Sequence, residues 1–216
     1  MLCLTAVKAC GSRQAVFLDP VLLPGREGAG RWQQVIDAIP AATRGRICAL
    51  VADNLPGMQK IAGQHHWVLQ LCHFHLLLKL QAQRGRMRYR LRGGAVREAI
   101  PRLIHQVIEL PTGPALDSAV RQLRQLVQGD CGTRRVQINV RAFLMEITYY
   151  RAYLDHPELD LPWTTNAVES MCPVVREMLR SSRAGSNPHS VLLWATALIR
   201  LRPHVVCNGH RINRKS

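Results

Sequence analysis

No apolar run in these 216 residues reaches the length of a membrane span, and the opening "MLCLTAVKAC" is too short and too poorly flanked for a signal peptide. The expectation is a cytoplasmic protein with no membrane partner. Paired cysteines are lacking as well. The seven cysteines are odd in number and show no repeated spacing, which argues against a disulfide framework and for reduced thiols in the cytosol. Phosphate-loop and dinucleotide fingerprints are absent, since "GREGAG" has neither the lysine nor the strand–helix context. No nucleophile elbow and no internal repeat is visible. Acidic residues are scarce, 14 against 29 Lys+Arg, and the net charge is +15. That excess, mostly arginine, suits a polyanion such as nucleic acid rather than a small-molecule substrate. A solvated basic surface with no specific partner is the alternative. Apolar residues make up 47% of the chain, enough to bury a core.

What is present alternates in texture. "LCLTAV" and "QAVFLDPVLL" read as strands joined by a turn at "CGSR", and "RWQQVIDAIP" as a short amphipathic helix closed by Pro40. "ICALVAD" is a continuous apolar run, the pattern of a strand buried on both faces. "LPGMQKIAG" predicts a short helix or turn, "HWVLQL" a strand and "HFHLLLKLQAQ" a helix. From Arg84 the basic "RGRMRYRLRGG" leads into stretches whose apolar positions recur at three and four residues, with Pro101 expected in a first turn or at a kink. "DHPELDLPWTTN" reads as a loop, "AVESMCPVVREMLRSSR" as one helix containing Pro173, and "SVLLWATALIRLR" as a helix apolar nearly all round and so buried. The expected divisions are 1–83 and 156–203 as two parts of an α/β core, 84–155 as an all-helical insertion, and 204–216 as a loose basic tail.

Three constellations carry chemical interest. Asp53 ends a buried strand, where α/β folds place ligands, although a turn or helix N-cap aspartate before "NLPG" is the reading its local sequence favours. Glu169 stands at a helix start, and Asn166-x-x-Glu169 is a fair capping box. Arg176, Arg180 and Arg183 follow at steps of four and three, so an acid heads a basic stripe. Such a stripe suits a metal at the acid with phosphates along the arginines, or else a solvated face. Cys72-x-x-His75 has half of a zinc motif's spacing, but no second Cys/His pair follows, so a local contact in the first helical turn is expected.

Taken together, "REGAGRW", "LVADNLPG", "LQLCHFH", "RAYLDHPELDLPWTTNAVES" and "CNGH" resemble, in order and approximate spacing, the ribonuclease-H-like DDE transposases of bacterial insertion sequences on the Mutator-related branch. The resemblance covers nearly the whole chain. It implies an incomplete ribonuclease-H-like mixed sheet with flanking helices and an all-α insertion. It also implies cutting of DNA at element ends and joining of the 3′-OH to a target. In that family three carboxylates hold two divalent cations, Mg²⁺ or also Mn²⁺, which activate the attacking oxygen and stabilise the leaving one. By motif, Asp53 matches the second catalytic aspartate and Glu169 the catalytic glutamate. Cys72 and His75 match the family's Cys-x-x-His, read as a structural or DNA-end-handling element rather than as metal ligands.

The resemblance puts the first catalytic aspartate ahead of "LCLTAV", where this sequence opens. Asp19 is the only acid in the early strands; it follows the second of them, precedes Pro20 and is not assigned that role. The expectation is therefore the C-terminal part of a transposase, without the DNA-binding region of full-length relatives and with impaired catalysis. DNA and further copies of the chain are its expected partners. Two other functions compete: a non-catalytic basic DNA- or RNA-binding protein, and a zinc-dependent regulator using Cys72 and His75 with two further ligands. The first of these leaves Asp53 and Glu169 unrelated in space; a transposase requires them to face one cavity.

Overall fold

The computed structural model describes residues 1–86, 94–129, 134–181 and 187–207, and the architecture is mixed α/β with small sheets. The early apolar segments form four short strands, β1 (Leu2–Cys3), β2 (Ala6–Lys8), β3 (Gln14–Phe17) and β4 (Val21–Leu22). β2 and β3 pair antiparallel with Ala6 opposite Phe17, and Gly11 in the "CGSR" turn takes a left-handed φ of 72°. Helix α1 (Ala29–Asp37) buries Val35 and Ile36, and a single further turn, α2 (Ala41–Arg44), follows Pro40. β5 (Ala49–Ala52), α3 (Met58–Gln64) and β6 (Val68–Leu71) make a parallel pair with a crossover helix. The end of β6 runs straight into α4 (His73–Arg86).

Between residues 94 and 155 the described elements are all helices joined by short connections: α5 (Gly94–Glu109), α6 (Pro114–Gln128), α7 (Arg134–Met145) and α8 (Ile147–Asp155). In α6, Leu116, Ala119, Leu123 and Val127 are buried at spacings of three and four, and Pro114 occupies the first helical position, where its missing N–H costs nothing. Each buried Leu or Val there contributes about 1.5–3 kcal/mol. These side chains join Met58, Ile61, Leu69 and Leu71 of the β5–α3–β6 unit in one continuous core. A polar bolt reinforces the junction. The fully buried Gln70 donates to the Tyr150 and Leu71 carbonyls at 3.2 and 2.8 Å and accepts from the Tyr153 backbone N–H at 2.8 Å. Arg151, also buried, donates to the Val107 carbonyl, and the Tyr153 hydroxyl donates to the Ile108 carbonyl at 2.8 Å. A 3-10 turn (Pro157–Leu159) then leads to α9 (Asn166–Glu169), α10 (Met171–Ser181), α11 (Pro188–Leu201) and β7 (His204–Val206). A second, smaller core holds Phe17, Met171, Val175, Ala195 and Ile199.

Several sequence expectations are corrected here. The strands do not form one mixed sheet among the described residues: β1–β4, β2–β3–β7 and β5–β6 are three separate sheets. β5 is half-buried rather than covered on both faces, because β6 is its one described pairing partner. Of the two places expected for Pro101, the first turn is excluded, since it lies in the interior of α5. The stretch read as one helix from Ala167 is, as far as its last described residue Ser181, two helices. Proline at 173 has no N–H to offer the Glu169 carbonyl four residues back, so the hydrogen-bond ladder resets at Ser170 and Pro173 falls in the first turn of α10. α11 leaves Leu193, Trp194 and Leu201 at 61, 46 and 80% exposure, since only its Ala195–Ile199 edge reaches the small second core. His204–Val206, assigned to a loose tail, adds a third strand to the β2–β3 hairpin, with Val205 opposite Ala15. No helix among the described residues is long and apolar enough to cross a membrane.

Gly57 fixes how α1 meets the loop after β5. Its φ is +95°, and a Cβ there would lie 2.4 Å from the Ala29 Cβ. Left-handed strain in an L-residue costs about 1–2 kcal/mol, and overpacking adds about 1–3 kcal/mol. Gly57→Ala is expected to lower unfolding free energy by about 2–5 kcal/mol in chemical denaturation. Adding Ala29→Gly should recover only the overpacking part.

Candidate metal centre

Three chain segments meet where β5 and β6 end. β5 delivers Asp53 into the loop that closes at Gly57; the Leu55 N–H donates to the Asp53 carbonyl at 2.8 Å, and Gly57, not Asp53, caps α3. β6 delivers Cys72 one residue before α4, and the first turn of α4 turns His75 back toward Asp53. The third segment is the loop before α9. It is registered on the second by two bonds from main-chain N–H groups, one to a carbonyl and one to a side chain: the His73 N–H donates to the Trp163 carbonyl at 2.9 Å, and the Thr165 N–H donates to Cys72 Sγ at 3.4 Å. The paired motifs "LCHFH" and "PWTTNAVES" are thus locked to one another through the main chain.

The result is a compact group. His75 Nδ1 lies 2.7 Å from Asp53 Oδ1, 3.5 Å from Glu169 Oε1 and 3.4 Å from Cys72 Sγ. The four candidate ligand atoms of Asp53, Cys72, His75 and Glu169 all lie within 4.8 Å of one another. The Thr165 hydroxyl sits among them. It donates to Glu169 Oε1, with Cys72 Sγ at 3.3 Å and Asp53 Oδ1 at 3.4 Å. Cys72 is buried and forms the floor, while the Asp53, His75 and Glu169 side chains are 36, 24 and 32% exposed, so the group opens to solvent on one side.

Burial raises the pKa of Asp53 above the ordinary carboxylate value. The His75 ring and the Thr165 hydroxyl oppose that rise, and the negative charges of Glu169 and Glu27 add to it. Glu27 is thus a third acid whose field reaches the site, from the loop ahead of α1; its Oε1 accepts from Trp32 Nε1 at 3.0 Å. On the other side of the Asp53 loop, Asn54 donates to Glu146 and lies 3.4 Å from the Tyr150 hydroxyl. Burial, then the charges of Glu146, Cys72 and Asp53, push the Tyr150 phenol well up. These contacts tie the helical insertion to the rim of the site.

The other sequence candidates fall in different places. Glu169 makes no capping box with Asn166: the N-cap is Thr165, and the glutamate side chain turns to that hydroxyl and to His75. Arg176 is exposed on α10, and its charge, with that of Glu169, is felt at the Cys172 thiol, which burial raises. Arg180 is exposed and pairs loosely with Glu177 at 3.9 Å. Arg183 lies outside the described residues. Asp19 pairs with Arg200 at 3.2 Å on an exposed surface and takes no part in the group. Sequence reasoning passed over Thr165, Gln70 and His73, whose roles depend on contacts between segments far apart in the chain.

The donor atoms fit divalent cations unevenly. Two carboxylates suit Mg²⁺ or Mn²⁺, which favour oxygen, whereas the thiol and imidazole suit softer ions. No family model, no curated protein and no solved structure matches this chain.

Proposed function

We propose that this protein acts on DNA by phosphoryl transfer of the DDE-transposase type, moving an insertion sequence, with Asp53 and Glu169 holding divalent cations at the edge of a ribonuclease-H-like core. The observation that carries this reading is the meeting of those two carboxylates around His75 Nδ1, from segments more than a hundred residues apart. A basic binding protein whose acids serve a separate turn and cap would leave the two carboxylates unrelated in space. Antiparallel pairing in the first strands, the parallel β5–β6 pair and a helical insertion ahead of Glu169 are the parts of such a core that support the reading, although the strands lie in three separate sheets.

Bound Mg²⁺ or Mn²⁺ would supply positive charge to the attacking and leaving oxygens of an in-line displacement. The chain's own contribution is positioning. The Thr165 hydroxyl fixes the Glu169 carboxylate, and the main-chain bonds from His73 and Thr165 hold the two motifs in register. Glu27 adds negative potential that favours a cation beside Asp53. The net charge of +15, with Arg176 exposed on the helix following Glu169, favours a polyanion along that side. A multimer on DNA accords with the same reading.

Iron mapping tests the proposal without requiring turnover. The full chain is bound to supercoiled plasmid with Fe²⁺ in place of Mg²⁺, then given ascorbate and peroxide, so that radicals form where the cation sits. We expect polypeptide cutting near residues 53, 72–75 and 165–169, and DNA nicking above that of free Fe²⁺, both lost in Glu169→Gln. Cutting elsewhere, or local cutting with no excess nicking of DNA, overturns the reading.

A further inference from the structure

Oxygen-only binding of magnesium leaves Cys72 and His75 without a part, yet both face the carboxylates. The donor set of one sulfur, one nitrogen and two carboxylate oxygens is the kind that zinc accepts and magnesium does not. The spacing agrees. Tetrahedral zinc with bonds of about 2.0–2.3 Å separates its ligands by roughly 3.3–3.8 Å. His75 Nδ1 is 3.4 Å from Cys72 Sγ and 3.5 Å from Glu169 Oε1, while its 2.7 Å contact with Asp53 has only to open slightly.

The hydrogen-bond arithmetic points the same way. Asp53 Oδ1, Cys72 Sγ and Glu169 Oε1 converge on one imidazole nitrogen that carries at most one proton. The Thr165 hydroxyl, again with a single proton, faces the same three atoms. With the Thr165 N–H directed at Cys72 Sγ, three donors and three acceptor atoms crowd one small volume, and a cation at its centre would bind all of the acceptors at once. The Thr165 N–H aimed at Cys72 Sγ is an outer-shell contact of the sort that steadies a thiolate ligand.

We propose that Asp53, Cys72, His75 and Glu169 bind one zinc-class cation in a four-ligand site. Occupied in this way, the site commits both carboxylates and leaves no open position, so zinc opposes magnesium there. The zinc site stands on ligand geometry alone; only its inhibitory consequence rests on the DNA chemistry proposed above.

Cobalt is the probe. The reduced, metal-free full chain is titrated with Co²⁺ and then with Zn²⁺. We expect one Co²⁺ per chain, the intense visible bands of a tetrahedral ion and a near-ultraviolet thiolate-to-cobalt band, all bleached by one equivalent of Zn²⁺. Cys72→Ser should remove the thiolate band. His75→Gln, which leaves the buried thiol in place, should weaken Zn²⁺ binding by more than about 100-fold, beyond what loss of an outer-shell contact costs. A weak octahedral spectrum, or a thiolate band that persists in Cys72→Ser, overturns the proposal. The two readings fail separately: a tetrahedral spectrum without iron-directed DNA nicking leaves zinc standing and removes the DNA reading, and the reverse result does the opposite.

Discussion

Asp53→Asn is expected to weaken Mn²⁺ binding by at least about 100-fold while making the metal-free protein more resistant to heat at neutral pH. The first effect follows from removing one of two carboxylates that could hold the ion; outer-shell losses alone cost about 10–100-fold. The second follows from the sign of the shift at Asp53. Its surroundings disfavour the ionised form: burial raises its pKa most, Glu169 and Glu27 add to that, and His75 and Thr165 only partly offset it. An acid whose folded pKa lies above its unfolded value binds its proton more tightly in the folded state, so its contribution to stability falls as pH rises through the folded pKa. Above that pKa the folded chain carries an ionised group it would hold more easily neutral. Asparagine keeps the shape and removes the charge. His75 retains Glu169 as a partner at 3.5 Å. Calorimetric titration with Mn²⁺ and thermal unfolding in chelator check the two halves together. A metal-free variant that melts below the native chain would show that Asp53 serves to stabilise the fold. Raised stability with lost ion binding is the signature of a site kept charged for a ligand.

The parts of this centre were unequally legible in the sequence. Asp53 and Glu169 stand out as an acid ending an apolar strand and an acid opening a helix, but those local patterns favour a turn and a cap, and only the family resemblance assigns the two to one site. Cys72 and His75 could be found by spacing, but their partners could not: the other half of the ligand set is two carboxylates from distant segments, which no Cys/His count reveals. Thr165 is one threonine among ordinary loop residues until the Trp163–His73 and Thr165–Cys72 bonds bring it to the centre. The fold divides along the same line. Helix α6 declares itself by periodicity, because its buried positions recur every three or four residues. Strand pairing does not. β7 is three residues in a basic tail and exists through its pairing with β3 at the other end of the chain. α11 reads as buried because its composition is apolar all round, but burial is set by what covers a helix, and the small second core reaches one edge of it.

His73 should make the protein acid-sensitive well above the range where ordinary carboxylates titrate. Its imidazole is buried beside Gln70, and its Nε2 lies 2.6 Å from the Tyr150 carbonyl, to which it donates. The rings of Tyr153 and Trp163 lie against it, the first edge-on at 5.4 Å between centroids. Burial pulls its pKa down to about 4 from 6.5, aided by the charge of His105 and opposed by the bond to Tyr150. The unfolded chain therefore takes up a proton between pH 6.5 and 4 that the folded chain refuses. Stability is full above 6.5 and falls as pH drops through that window, by roughly 1.4 kcal/mol per pH unit for one proton and about 3 kcal/mol in all. Asp53 acts with the opposite sign, since acid relieves it, so the net slope measures which group dominates. Denaturant unfolding at closely spaced pH values from 7 down to 5 stays above the ordinary carboxylate range. His73→Gln loses some stability at pH 7 with the Tyr150 bond, yet its curve should be nearly flat where the native chain declines. An equally steep decline in that variant would assign the acid sensitivity to another group. Because His73 also receives the main-chain register of the Trp163 loop, unfolding triggered there should release Thr165 and Glu169 from Cys72 and His75 first. Cation affinity is then expected to fall at a higher pH than the midpoint of acid unfolding.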